Sequence, residues 1–490
     1  MATNGEKDEK DDKDDSLATL GHYRAAILSC LSFFLFNAGL SEGIVGPTSL
    51  DLANDLDLER HHITSAFALK GIGEVVGAII GGVFKDYFPH GIDYFVAACS
   101  VIMGASTAAL PYSTGYLTLC AAYVIQGLSY VAAHTASMAY TLNLWGQDSG
   151  FAINVVMAVN DVGVLLGPLT AAVFSGHFHY PIPPIPREFP NATSAPLTTS
   201  GEAVTSPPNA PHCYNCASGI TEGSFLLVMA LCVVDAAAYI CVTLYFRRRL
   251  EPSLFHPKTL EDINNSKSEI KENASLAYRV FTYCAFFLYF MAVMSVNEGL
   301  IRYTFPISVI DLKMSQIHAT LINTLIFAAS AIGCFSFALL EKYFSIILIT
   351  NINIGLAVVV GIVWSLYGLT SRAAWWSTLL LFSLLNGSTM PSGLAYLYAM
   401  VPVTGIITAL MEVGTAAGQL GLLISAYFEK HNGSQAVLVI MTLATSLCFF
   451  VTMATLGLSY YPCSRLNRRA ESKHDGATAD FHLLDGTDSE

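Results

Sequence analysis

Twelve runs of mostly apolar residues recur along this chain, at 24–46, 62–84, 92–111, 116–142, 151–174, 224–246, 276–301, 316–340, 344–368, 374–399, 403–428 and 435–460. About 20 helical residues cross a bilayer core roughly 30 Å thick, so each run has the length of one crossing. In hydrocarbon every backbone polar group needs an internal partner, which leaves helices or a closed barrel. No series of short alternating strands accompanies the runs, and the fold class expected is an all-α membrane protein. Composition agrees, because 53% of residues are hydrophobic and only 12% are charged, well away from soluble domains.

A polar stretch divides the runs six and six. The expected organisation is a disordered acidic tail (1–23), a six-helix half (24–246) with a large external loop at 175–221, a cytoplasmic linker (247–275), a second six-helix half (276–460) and a cytoplasmic tail (461–490). The formal charge of −13 sits partly in those tails and identifies no partner. An acidic tail precedes the first run, so that run reads as a retained helix rather than a cleaved signal. Even spans put both termini on one side, and the loops of that side carry twelve Lys or Arg against six opposite. Cytoplasmic termini and a plasma-membrane address follow as expectations.

Sequons at Asn191 and Asn432 fall in loops this topology makes external, which predicts a glycoprotein. Those at Asn264 and Asn273 fall inside. Nine of the eleven cysteines lie in or beside apolar runs. Cys213 and Cys216 share the long loop, where a local disulfide is open, but one CxxC supplies only two metal ligands.

The two halves repeat each other. Glu42-Gly43 has its counterpart in Glu298-Gly299, and Lys85-Asp86-Tyr87-Phe88 in Glu341-Lys342-Tyr343-Phe344, each at an offset of 256 residues. Asp51-Leu52 matches Asp311-Leu312, Gln126-Gly127 matches Asn386-Gly387, and Asp161-Val162-Gly163 matches Glu412-Val413-Gly414. The glycine spacing matches too, with Gly163 and Gly167 set against Gly414 and Gly418. Twelve transmembrane helices in two pseudo-symmetric halves are therefore expected.

Two parallel six-span repeats resemble the major facilitator superfamily, in which solute sits near mid-membrane between halves that rock around it. The resemblance is closest to its sodium-dependent glucose transporter branch. It rests on Trp145-Gly146, Gly163 and Pro168-Leu169 around spans 4 and 5, on GPTSLDLA after span 1, and on Lys70-Gly71-Ile72-Gly73 in span 2. Gly82-Val83-Phe84-Lys85-Asp86 is similar to the superfamily's loop 2–3 motif, with Tyr87 where Arg is usual, and Met157-Ala158 stand where the branch reads His-Phe. The resemblance implies charged loop motifs, here Lys85, Asp86, Glu341 and Lys342, that brace the cytoplasmic side when it is closed.

Residues themselves point to a wet seam. An ionisable group at mid-membrane costs at least about 2.5–3.5 kcal/mol, so it should face a cavity or a partner. Glu42, Glu74, Asp161, Glu298 and Glu412 are the candidates, with Asp235 a sixth. Lys70 and Glu74 are spaced for an intrahelical pair, or Lys70 reaches across to Glu42 or Asp161; both readings are open. Asn154 with Asp161, and Glu412 with Gln419, share helix faces seven residues apart.

Span 4 carries Gln126, Tyr130, His134, Ser137 and Thr141 as one polar stripe, expected to face the pore. Asn37, Asn297, Asn323 and Asn386 add amides, each equally apt as interhelical glue. With Asn154 and Gln419 these form the substrate-binding set: Asn37, Gln126, Tyr130, His134, Asn154, Asn297, Asn386 and Gln419. The ion-coupling set is Glu42, Lys70, Glu74, Asp161, Glu298 and Glu412. Tyr283, Phe287, Phe290 and Met294 line one face of span 7, read as packing or as a sugar-stacking face.

No HExxH, GxSxG or P-loop occurs, so no enzyme is expected, and no basic patch invites nucleic acid. The expected partners are a small-molecule solute and the lipid bilayer, with the chain monomeric. No cofactor is expected beyond a coupling Na+ or H+. A carrier of a neutral hexose is the first reading; an organic-anion or monocarboxylate carrier, and a non-transporting solute-sensing receptor, are the alternatives.

Overall fold

The computed structural model describes residues 5–56, 66–67, 69–175, 222–247, 276–419 and 421–484. The long loop with Asn191, Cys213 and Cys216, and the linker with Asn264 and Asn273, lie outside the described residues. Among the described residues all regular structure is helical. The first half runs α1 (Gly5–Asp55), α2 (Lys70–Tyr87), α3 (Ile92–Ala109), α4 (Tyr116–Trp145), α5 (Ser149–Ser175) and α6 (Glu222–Arg247). The second runs α7 (Leu276–Ile310), α8 (Gln316–Glu341), α9 (Ile346–Tyr367), α10 (Arg372–Gly387), α11 (Thr389–Met400), α12 (Gly405–Gly418), α13 (Gly421–Asn432) and α14 (Ser434–Leu484).

Nine of these described helices are long and apolar enough to cross a membrane singly. The other three expected crossings depart for physical reasons. Helix α2 carries Lys70, Glu74, Lys85 and Asp86 within 18 residues. The tenth crossing is broken at Ser388 into α10 and α11, because Pro391 has no N–H for the Gly387 carbonyl. The eleventh is broken after Gly418 into α12 and α13, between two glycines. In the tails, α1 is helical from Gly5 and α14 runs to Leu484.

The outer faces are apolar. On α9, Leu348, Ile352, Leu356, Val359, Val363 and Leu366 are all exposed, at three- and four-residue steps that draw one stripe along the helix. Such a patch is a liability in water and a requirement in lipid. Inside, Trp364 packs against Trp375 and Phe382 with ring centroids 5.7 and 5.1 Å apart, and the Trp375 indole donates to Ser308 at 2.9 Å.

Glycines bring the helices together in the same pattern twice. A methyl added at Gly39 or Gly43 of α1 would strike the α5 backbone at Asn160 or Val164, and one at Gly163 would strike the Phe36 carbonyl of α1. In the second half Gly414 and Gly418 of α12 press on Phe287 and Met291 of α7. Gly73, Gly77 and Gly81 of α2 abut the Val124, Leu128 and Ala132 carbonyls of α4, as Gly333 of α8 abuts Leu384 of α10. Small residues thus set the close approach of matched helix pairs.

Candidate functional site

The two halves meet along α2, α4 and α5 on one side and α8, α11 and α12 on the other, and the polar side chains of these helices converge there. Helix α4 presents His134, 2% exposed, to Glu412 of α12, 7% exposed. His134 Nδ1 lies 3.1 Å from Glu412 Oε1, and Thr415 Oγ1 donates to Glu412 Oε2 at 3.2 Å. Polar contacts of this kind hold only if both groups keep out of lipid, so each fixes the rotation of its helix.

Lys70 settles the open choice of partner. Its ammonium lies 2.6 Å from Glu42 Oε1 and 3.6 Å from Glu74 Oε1, with the rings of Phe67 and Tyr130 each 5.5 Å away. Glu74 in turn accepts from Gln419 Nε2 at 3.1 Å, a second bond between halves. The Ser330 hydroxyl of α8 donates to Asp161 Oδ2 of α5 at 2.5 Å, a third. Glu298 is held by Arg302, one turn on, at 3.2 Å.

These groups form one constellation. Tyr130 lies within electrostatic reach of Glu42, Glu74, Asp161 and Glu412, and Lys70 within reach of Glu298 as well. Five carboxyls therefore surround two fixed cations and one imidazole. Carboxyls that outnumber the fixed cations in a low-dielectric seam can take up a small cation or protons.

Other candidates are placed elsewhere. Gln126 turns away from the seam and donates to Ser41 at 2.7 Å and Thr107 at 2.9 Å, stitching α4 to α1 and α3. The stripe reading put it in the pore; two turns before His134, α4 faces its own half. Asn154 is fully buried and its amide donates to the Gly150 carbonyl at 2.9 Å, so it back-bonds within α5. Asn386 donates to Asn297 at 2.6 Å, joining α10 to α7 inside the second half. Asn37 is fully buried, and among the described residues neither its amide nitrogen nor its oxygen has a hydrogen-bond partner. On α7, the Tyr283 hydroxyl donates to the Pro402 carbonyl at 2.6 Å and Phe287 packs against Gly414, which is packing rather than a stacking face.

At the end of the bundle where α2 and α8 finish, the loop motifs latch the halves. Asp86 accepts from the Gly405 and Ile406 backbone N–H groups at 2.7 and 2.9 Å, capping the positive start of α12. Gly82 allows this, since a methyl there would strike the Gly405 carbonyl. The repeat does likewise: Glu341 of α8 packs against Gly150 in the first turn of α5, and Lys342 sits 4.4 Å over the Phe151 ring. Lys85 stays beside Asp86 at 3.4 Å.

Ser330, Thr415, Ser41 and Thr107 escaped the sequence reading, because single hydroxyls in apolar helices usually bond their own backbone. One signal for Ser330 existed. It stands 256 residues after Glu74, the repeat offset, and both residues bridge to the opposite half.

Comparison with known proteins follows the same lines. The family model described as Major Facilitator Superfamily matches residues 31–420. The human sodium-dependent glucose transporter 1 is 22% identical over 399 residues, covering 80% of this chain and 71% of the relative. Among solved structures, the transporter FucP in its outward conformation has a TM-score of 0.62 at 14% identity, covering 88% of this chain and 98% of that one. The proton:xylose symporter XylE, bound to 6-bromo-6-deoxy-D-glucose, has a TM-score of 0.65 at 12% identity, covering 89% and 96%. Likeness at such identities speaks for the fold.

Proposed function

The chain belongs to the Major Facilitator Superfamily, and on that footing we propose that it is a secondary active transporter that carries a neutral hexose by alternating access, driven by sodium or protons. The observation that carries this reading is the His134–Glu412 contact at 3.1 Å. It joins α4 of the first half to α12 of the second at the seam that must part and re-form.

The mechanism follows from the seam. Solute enters opposite the latched end, between α1, α4, α5 and their counterparts α7, α10 and α12. A cation or proton occupies the carboxylates around Lys70 and weakens the His134–Glu412, Glu74–Gln419 and Ser330–Asp161 bonds. The halves then rock, Asp86 leaves the start of α12, and both loads exit on the latched side. With cytoplasmic termini, which the basic loops support, the latched side is the cytoplasmic one.

Hexose is favoured over an organic anion because Lys70, the fixed cation at the centre of the seam, is already held between Glu42 and Glu74. An anion would have to displace one of them. The names of the similar proteins, a glucose transporter and a xylose symporter, lie in the same direction.

Purified protein in vesicles tests this. Labelled hexoses should accumulate when a sodium or proton gradient is imposed, and preloaded unlabelled sugar should drive counterflow. Uptake of organic anions alone would favour the anion carrier; sugar binding without either flux would favour the receptor.

A further inference from the structure

Serine and threonine hydroxyls in these helices mostly bond the carbonyl one turn back in their own helix, as Thr324 of α8 bonds Thr320 and Ser377 of α10 bonds Ala373, both at 2.9 Å. Ser330 of α8 does not. Its hydroxyl crosses to Asp161 Oδ2 of the first half at 2.5 Å. Among the described residues Asp161 has no ion-pair partner, unlike Glu42, Glu298 and Glu412, and this hydroxyl faces its charge. The titratable groups within electrostatic reach of Asp161 are Glu42 of α1, Tyr130 of α4 and Cys334 of α8.

The other side of Ser330 abuts the break in the tenth crossing. A methyl added at Gly387, the last residue of α10, would lie 2.5 Å from the Ser330 carbonyl oxygen and 2.6 Å from its hydroxyl oxygen. The same notch exists in the first half, where Gly127 faces the Lys70 carbonyl, and its occupant also reaches a carboxylate, Glu42. Two more helices brace the break with side chains. Asn353 of α9 donates to the Leu385 carbonyl at 2.8 Å and to Ser388 Oγ at 3.1 Å, and Tyr289 of α7 donates to the Thr389 carbonyl at 2.6 Å. Of these three braces, Ser330 is the one bonded to the other half. Beyond the break, α11 packs on α5 of the first half. Its 12 residues make a rod about 18 Å long, so a bend of about 10° at the break carries its far end about 3 Å. That end, Met400, comes shortly before Gly405, whose N–H is held by Asp86 of the latch.

We propose that Ser330 is a positioning residue that passes the state of Asp161 in one half to the bend of the tenth crossing in the other; the proposal rests on the ion-binding role given to Asp161 above. With Asp161 ionised, the Ser330 hydroxyl is drawn into the seam and stands beside Gly387. Once Asp161 holds a proton or a cation, that pull is lost, and the hydroxyl turns back to the Ile326 carbonyl of its own helix. The space beside Gly387 changes, α11 swings against α5, and the movement reaches the start of α12. Loading the ion at the seam thereby loosens the latch.

Electron-spin distance measurements on the full-length protein in lipid nanodiscs, with labels at Tyr343 in the α8–α9 connection and at Met400, read this bend. Both labels lie in the second half, so rocking of rigid halves leaves their distance unchanged. In wild type the distance should shift by about 3 Å as pH is lowered at fixed sodium, or as sodium is raised at fixed pH. D161N and S330A should each hold the shifted distance under all conditions, and the double variant should shift no further than either alone. S330C, a weaker donor of similar size, should lie between wild type and S330A, and serves if S330A fails to fold. A wild-type distance that ignores both ions, S330A with the wild-type distance and response, or D161N and S330A shifts that add would each overturn the proposal, even where gradient-driven uptake requires Asp161. D161N that accumulates solute like wild type would instead overturn the ion role, and this proposal with it.

Discussion

Lys70 bonds Glu42 of a neighbouring helix at 2.6 Å, although Glu74 stands one turn along its own helix at 3.6 Å. The stronger link is thus between α1 and α2, and it leaves Glu74 available to Gln419 in the other half. Removing the cation strands two carboxyls at once. K70Q should lower the stability of the detergent-purified protein by about 3–5 kcal/mol, the cost of breaking a buried pair. E42Q should cost less, because Glu74 remains to pair with Lys70, and K70Q/E74Q should recover part of the K70Q loss. Thermal melting of the three variants measures the order; equal losses for K70Q and E42Q would contradict the arrangement.

Neutralising the seam separates driven uptake from exchange. If the seam carboxyls couple the ion as proposed, E412Q and D161N should each abolish gradient-driven accumulation of the transported solute while leaving counterflow within a few-fold of wild type. H134N combined with E412Q should be no worse than E412Q alone, since the two groups act as one contact. Unchanged accumulation in both single variants would remove the coupling role.

The latch predicts a shift in shape. D86A gives up two backbone hydrogen bonds to a charged acceptor, each worth about 1.5–3 kcal/mol. The ratio of closed to open at this end should fall at least about tenfold. Spin labels on the α2–α3 and α11–α12 connections should report a new, longer distance population in D86A. Labels at the far ends of the same halves should draw together.

Glycine packing makes a stability prediction. G163A places a methyl against the Phe36 carbonyl, and α1 and α5 are backbone to backbone there. The helices must part, at about 1–3 kcal/mol, which should show as lower melting temperature and reduced monodisperse yield. G115A, where an added Cβ meets nothing within 4 Å, is the control and should melt close to wild type.

Features with long periods were legible in the sequence, and features set by helix rotation were not. The apolar runs, the 256-residue repeat and the mid-span acids Asp161 and Glu412 all follow from spacing, and both acids lie at the seam. Gln126 shows the limit. It shares a stripe with His134, yet it bonds Ser41 and Thr107 within its own half, because a slanted helix turns its ends to different neighbours. Lys70 shows another: spacing offered Glu74, with Glu42 and Asp161 open across the bundle, and only the three-dimensional arrangement brings Glu42 to 2.6 Å. The break at Ser388 was readable in Pro391, whereas the break after Gly418 depended on two glycines that read equally well as packing residues.

The breaks at Ser388 and Gly418 have no counterpart in α4 or α5, which run whole from Tyr116 to Trp145 and from Ser149 to Ser175. A duplicated ancestor would have made two identical levers; this protein has one stiff lever and one with elbows. A solute held between them meets a fixed jaw and a bending one, so the work of enclosing it falls unequally. Natural variants that alter speed without altering appetite should then gather on the jointed side.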